Sequence, residues 1–281
     1  MYKKLQQFTA LILFVLLFAA CRKDVAAKPQ PKPVVAVNDI VESQPAILTP
    51  VTTTVSDIIG GYYKGLPYHY NETTKTYPLL IFLHGGGQVG NGKLDLPLVL
   101  NDGIAQLLDA KTFPANFNVD GKNFSFIILA PQFSVYPTND QVADFMNFAR
   151  KNFRVDTTRI YLSGLSMGGI VTSDMGAQYP YQLAAIVPLS GVFGTIGSEL
   201  KCKKIAESNL PVWVFHNDQD PSLTPLGPQN FIALVDSFNP VILPKLTMFH
   251  AFGHDSWTQA INPSYKENNM NIYEWMLHYT R

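Results

Sequence analysis

Six short apolar runs punctuate the chain after residue 53: 77–85 (YPLLIFLHG), 124–132 (FSFIILAPQ), 159–164 (RIYLSG), 183–191 (LAAIVPLSG), 211–217 (PVWVFHN) and 245–253 (KLTMFHAFG). They are nearly continuous rather than alternating, the pattern of parallel strands covered on both faces. Between them, apolar positions at helical spacing predict helices at 96–110, 139–153, 167–179, 226–237 and 270–280, with a short one at 200–208. Strand–helix alternation over 53–281 predicts one α/β domain with a mostly parallel central sheet flanked by helices. Residues around 55–70 are expected to add antiparallel edge strands. Ligands on such sheets bind at the carboxyl ends of the strands, so the loops leaving those ends are where chemistry is expected.

The first 52 residues follow a different pattern. MYKKLQQ is a basic lead, and Phe8–Ala20 is an apolar run of 13 residues. That is short of the roughly 20 residues a membrane-spanning helix needs, and residues 1–20 are read as a signal peptide. Ala19 and Ala20 before Cys21 resemble the lipobox of bacterial lipoproteins, although Phe18 stands where leucine is usual. The resemblance implies export, with Cys21 lipidated and the chain anchored to a membrane of the cell envelope; without the lipid, the expectation is secretion. Residues 21–52 are rich in Pro, Val, Ala and Lys without helical period, which predicts an extended linker and places the folded domain at 53–281. Cys21 and Cys202 are the only cysteines, so no disulfide framework is expected. Cys202, in LKCKKIAES, is read as part of an amphipathic surface helix rather than as a nucleophile.

Charge narrows the partners only by exclusion. With 21 basic and 21 acidic side chains and no basic block beyond the extreme N-terminus, the chain lacks the surplus that nucleic acid requires. At 47% hydrophobic residues it has material for a substantial core.

The candidate chemistry sits at the ends of the predicted strands. Gly164-Leu165-Ser166-Met167-Gly168 is a G-x-S-x-G motif between a strand and a helix. A serine on that turn projects its hydroxyl above the sheet edge, and the glycines permit strand and helix to approach closely. A serine hydroxyl needs a base. Six histidines are available, His69, His84, His216, His250, His254 and His278, and His254 in AFGHDSW is favoured by its position just past the last strand. The acid that would orient its imidazole is Asp218 or Asp220 of VFHNDQD; Asp255 adjoins His254 and diverges from it. Gly85, Gly86 and Gly87 follow the first core strand as an HGGG loop, so Gly85 or Gly86, with Met167, are the expected oxyanion donors. His84 is read as bracing that loop. No other ligand lies at zinc spacing from it, and no metal or other cofactor is expected. Phe133, Tyr136 and Trp257 are candidate platforms for a sugar or aromatic ring.

Through YPLLIFLHGGG, FIILAPQ, VDTTRIYLSGLSMGG, VFHNDQD and GHDSW, residues 77–281 resemble the α/β-hydrolase superfamily, in its esterase/phospholipase-carboxylesterase and predicted-peptidase branch. That branch is similar to secreted feruloyl and acetylxylan esterases. The resemblance implies the α/β-hydrolase fold and a Ser166, Asp220, His254 triad, the acid falling four residues after the histidine of the FH segment. Asn217 stands where that segment usually has glycine. It also implies that Gln132 lines the pocket, against the alternative of a side chain that satisfies loop backbone. The function expected is a serine ester hydrolase working through an acyl-enzyme. A prolyl-oligopeptidase-like peptidase is the alternative, and a silent glycan-binding lipoprotein the alternative of another class. About 20 residues separate Gly191 from Pro211, too few for a large helical cap when an average helix takes roughly 11–12. The expectation is therefore an open cleft for short or compact acyl esters, polysaccharide esters among them.

Overall fold

Alternate residues of the apolar runs turn to opposite faces of one sheet, and each set meets its own layer of helices. The computed structural model describes residues 40–281; the predicted signal peptide, Cys21 and the first part of the linker lie outside the described residues. In chain order the elements begin with β1 (Ile47–Val51), β2 (Ile59–Leu66), β3 (Tyr77–Leu83), α1 (Gly103–Asp109), β4 (Phe117–Val119), β5 (Lys122–Phe124) and β6 (Ile127–Phe133). They continue with α2 (Asn139–Asn152), β7 (Val155–Leu165), α3 (Met167–Gln178), β8 (Ala185–Leu189), α4 (Glu199–Glu207) and β9 (Trp213–Gln219). The last are α5 (Leu226–Asp236), β10 (Lys245–Phe252), α6 (Trp257–Ala260) and α7 (Ile272–Leu277).

The main sheet has eight strands in the order β1-β2-β6-β3-β7-β8-β9-β10. β1 pairs with β2, and β2 with β6, antiparallel; every other pair is parallel. Leu79, Ile81, Leu129, Ile160 and Leu162 pack with Phe145 and Met146 of α2, Val171 and Met175 of α3, and Ile205 of α4. Their strand neighbours Leu80, Ile128, Tyr161, Val187 and Trp213 belong to a second cluster with Ile104 of α1 and Tyr273 and Trp275 of α7. Burying both faces removes any reason for a polar position in the run. At about 1.5–3 kcal/mol for each large side chain buried, these two clusters carry the fold.

Several expectations shift. The predicted linker runs too far: β1 at Ile47–Val51 is a strand of the main sheet, and the buried Glu42 carboxylate accepts from the His69 backbone N–H and bonds its Nδ1 at 2.8 Å. Residues 42–51 therefore belong to the folded domain rather than to the linker. The predicted helix 96–110 is broken into a 3-10 turn, Leu96–Leu100, and α1, because Pro97 opens the first piece and Gly103 has φ +80°. The run at 124–132 divides, because Asp120 and Gly121 both take positive φ and close the β4–β5 hairpin. That Asp-Gly turn is a hairpin signal readable in the sequence. Cys202 does lie on an amphipathic helix, but on its inner side: it is fully buried, and burial pushes its thiol up to about 11. Between β8 and β9 the chain carries α4 alone as a helix.

Candidate active site

β7 ends at Leu165 and α3 begins at Met167, so Ser166 alone makes the turn. Its φ of 52° and ψ of −113° lie outside the comfortable regions for an L-residue. Such a conformation costs on the order of 1–3 kcal/mol and persists only where the surroundings impose it. Here they do. A Cβ on Gly168 would lie 2.2 Å from the Leu83 carbonyl oxygen, and one on Gly164 would lie 2.6 Å from the Gly168 carbonyl, so strand and helix close together only with glycine at both places. The Ser166 N–H donates to the Leu189 carbonyl at 2.8 Å, tying the turn to β8.

The loop after β10 brings His254 to this hydroxyl. His254 Nε2 lies 2.8 Å from Ser166 Oγ, and Nδ1 lies 2.7 Å from Asp220 Oδ2. Asp220 follows β9, and its Oδ1 accepts the backbone N–H groups of Ser222 (2.7 Å) and Leu223 (3.0 Å). Burial alone would raise its pKa, but the hydrogen bonds from His254, Leu223 and Ser222 outweigh burial and hold it below the usual carboxylate value. An ionised Asp220 accepts a hydrogen bond from His254 Nδ1–H, which leaves Nε2 as the acceptor for the serine O–H.

Asp218 is engaged elsewhere. It bonds His250 Nδ1 at 2.6 Å and accepts the Ala251 N–H, and the His250 hydrogen bond holds its carboxyl below the usual range. His216 is buried beneath Asp220. Its Nε2–H donates to the Leu223 carbonyl at 2.9 Å and lies 3.3 Å from Asp220 Oδ2. Burial lowers its pKa, so it stays neutral beside the acid.

Asn217 turns out to be an active support. Its Nδ2 donates to the carbonyls of Gly253 (2.9 Å) and Asp255 (3.1 Å), the residues on either side of His254. Nothing in the local sequence signals this strap, because its partners lie 36 and 38 residues away. Ser256 fixes the same loop through a 2.6 Å bond to Ser190 at the end of β8.

The glycine loop departs from expectation at one donor. The Gly85 N–H is taken by Gln88 Oε1 at 2.9 Å, so it does not face an oxyanion. The N–H groups of Gly86 and Met167 have no hydrogen-bond partner among the described residues, that of Met167 lying in the first turn of α3 where no intrahelical acceptor exists. His84 spans the base of the loop: Nδ1–H donates to the Gly85 carbonyl at 2.7 Å, and Nε2 accepts the Phe133 N–H at 2.9 Å. Burial pushes its pKa down, in keeping with this neutral tautomer.

A cavity of about 240 Å³ opens at Ser166 and His254, walled by Gly86, Gly87, Leu165, Asn101, Asp102 and Trp257. A larger hollow of about 360 Å³ between Gln44–Leu48 and Leu108–Lys111 contains none of these groups. Gln132 is not part of the cleft wall. It is fully buried, accepts the Gly92 N–H, and donates to the carbonyls of Gln88 and Asp95, holding the 88–95 loop. Phe133 is likewise fully buried, against His84, and offers no platform. Tyr136 is half-exposed but does not line this cavity. Trp257 does: its ring stands edge-on to His254 at 5.4 Å, and its Nε1 donates to Asp102 at 3.2 Å. Asn101, Asp102 and Gln88 are cavity residues that the sequence did not single out.

A hydroxyl bonded to an imidazole, the imidazole to a buried carboxylate, and free N–H groups alongside are the parts needed to attack a carbonyl and hold the charge that develops. With this sheet order, they define an α/β-hydrolase enzyme of esterase type. The chain belongs to the phospholipase/carboxylesterase family, whose pattern it matches over residues 70–267. It is similar to a bifunctional acetylxylan esterase/xylanase of Neocallimastix patriciarum, 30% identical over 143 residues; the match covers 50% of this chain and 18% of that much longer relative. Among solved structures it resembles a ferulic acid esterase (17% identity, TM-score 0.57, covering 78% of this chain and 96% of the other). It also resembles the fluorophosphonate-binding serine hydrolase F of Staphylococcus aureus (16% identity, TM-score 0.58, covering 83% and 99%). At these identities the two structures speak for the fold.

Proposed function

We propose that the chain is a serine carboxylic-ester hydrolase that works through an acyl-enzyme, with Ser166 as nucleophile, His254 as general base and Asp220 as the acid that orients it. The observation that carries this reading is the continuous hydrogen-bond path Ser166–His254–Asp220, at 2.8 and 2.7 Å, beside a cavity. Ser166 Oγ attacks the ester carbonyl carbon while its proton passes to His254 Nε2. The carbonyl oxygen, now negative, accepts from the Gly86 N–H in the loop after β3 and from the Met167 N–H at the positive end of α3. His254 then returns the proton to the departing alcohol oxygen. In the second half, water attacks the acyl carbon while giving a proton to His254 Nε2; the Oγ–acyl bond then breaks as His254 returns that proton to Ser166 Oγ, releasing the carboxylic acid.

The cavity points to compact acyl groups. Its volume of about 240 Å³ is below the ~300–1,000 Å³ of sites that enclose a drug-sized ligand. With α4 as the sole helix between β8 and β9, a long chain has little apolar wall to cover it, so it gains none of the roughly 0.8 kcal/mol per buried CH₂. The acetylxylan esterase activity named for the N. patriciarum relative supports acetyl esters of polysaccharides as the natural class. The experiment is kcat/KM for 4-nitrophenyl esters of two to sixteen carbons, alongside peptide anilides. The expected profile peaks at two to four carbons, with no peptide cleavage; a rise towards sixteen carbons, or faster anilide cleavage, would sink the reading.

The proposal extends to location: export through residues 1–20 and anchorage by lipid at Cys21. The wild-type chain is expected in the detergent phase on phase partition, and Cys21→Ala in the aqueous phase. Recovery of both in the aqueous phase would remove the anchor and leave the enzymology untouched.

A further inference from the structure

Asp102 occupies the N-cap position of α1, where an aspartate ordinarily accepts a backbone N–H of the first helical turn. It makes no such bond. Its carboxylate lines the cavity at Ser166 instead, where Oδ1 accepts from Trp257 Nε1 at 3.2 Å. The other carboxylate oxygen has no hydrogen-bond donor, and no Lys, Arg or His forms an ion pair with Asp102, among the described residues. Among the described residues, His254 is the only other titratable side chain lining that cavity, and no Lys or Arg lines it. Asn101, exposed beside it, lends an amide that has no side-chain hydrogen bond among the described residues.

A lone carboxylate, held by an indole in the cavity that Ser166 also lines, makes the cleft electronegative. Low-dielectric walls strengthen that field relative to open water. An ester bearing its own negative charge meets like charge on entry, and a phosphate-bearing lipid meets it with no cation to compensate. A neutral ester flanked by hydroxyls meets a free acceptor oxygen, an amide and an aromatic wall.

We propose that Asp102, held by Trp257, determines charge selectivity at this site, making a subsite for uncharged, hydroxyl-bearing esters such as sugar acetates and turning away anionic ones. This rests on the esterase reading above. The test uses three phenyl esters: phenyl acetate, 4-acetoxybenzoate with charge on the alcohol side, and phenyl hydrogen succinate with charge on the acyl side. Each kcat/KM is normalised to the ester's own alkaline hydrolysis rate. For wild type, the anionic-to-neutral ratio is expected to be roughly tenfold below unity for whichever side faces Asp102. It should rise in 1 M NaCl, where the screening length falls to about 3 Å. Asp102→Asn should raise the ratio about tenfold at low salt. A ratio unchanged within twofold by Asp102→Asn for both anionic esters overturns the proposal. If that variant fails to fold, a wild-type ratio insensitive to 1 M NaCl overturns it equally. The hydroxyl contact is read separately: Asp102→Ala should raise KM for a monoacetylated methyl xyloside above that of Asp102→Asn, which keeps an acceptor, and equal KM values remove that part. Failure of wild type to hydrolyse any ester defeats the esterase reading itself, an outcome distinct from an unaltered ratio in an active enzyme.

Discussion

Ser166→Ala is expected to reduce kcat on 4-nitrophenyl acetate by a factor on the order of 10⁶, the scale of losing a serine nucleophile that acts as a unit with its base. What survives is the contribution of the oxyanion donors and binding alone. The fold should persist, because the substitution removes one hydroxyl and one 2.8 Å hydrogen bond to His254. At about 1 kcal/mol for such a bond, Tm should move by no more than about 2–4 °C for a domain of this size. The backbone strain at φ 52° is common to serine and alanine and cancels in the comparison. The paired readout is labelling by a fluorophosphonate, expected for wild type and absent for the variant. An Ser166→Ala protein that keeps labelling, or keeps more than a hundredth of the wild-type rate, would place the nucleophile elsewhere.

Asp220→Asn should lower kcat by about 10⁴, the cost of a triad acid that no longer fixes the histidine tautomer or faces its positive charge. The buried amide would present either a carbonyl or an NH₂ to His254 Nδ1, and in the second case the imidazole proton moves to Nε2, where it meets the serine O–H. Asp218→Asn should change kcat less than twofold, because Asp218 partners the exposed His250. In that variant the His250 pKa, raised in wild type by the Asp218 hydrogen bond, should fall, and a titration of its ring proton by NMR reads this directly. A larger kinetic loss at 218 than at 220 would reverse the assignment. Stability follows the sign of the Asp220 shift. A carboxyl held below its ordinary value in the folded state stabilises the fold above the unfolded-chain pKa of about 3.9. That contribution is lost as pH falls through the depressed value, so the wild-type minus Asp220→Asn difference in Tm should shrink as pH falls below about 4.

Much of the fold and of the candidate site could be read along the chain because the cues are local. The parallel sheet follows from runs such as YPLLIFL, in which every position is buried. The nucleophile turn follows from two glycines flanking one serine within five residues. His254 could be placed by elimination among six histidines because only one stands just past the last core strand. The choice between Asp218 and Asp220 was different. Two residues apart, they have the same composition cues and would share a face if the strand continued, but β9 ends at Gln219, so Asp218 stays on the strand beside His250 while Asp220 turns with the loop to His254. Of the pocket candidates, Trp257 lines the cavity, whereas Gln132 and Phe133 do not, for a related reason. Gln132 and Phe133 end a strand near the site, yet backbone-directed bonds and His84 hold them in the interior.

By itself, the sequence determined the α/β alternation, the glycine-flanked serine between strand and helix, and the residue types available to the candidate site, since each is written in short motifs or in burial averaged along a run. Tertiary structure alone decided which carboxylate faces the histidine and which backbone N–H groups stay free for an oxyanion. It also brought Asn217 to strap the His254 loop and Asp102 to the cleft through a tryptophan 155 residues away. Those outcomes turn on directions of side chains and on hydrogen bonds a few ångströms long between distant segments. Hydrophobic patterning is blind to both, because it records how deeply a residue lies and not what it faces.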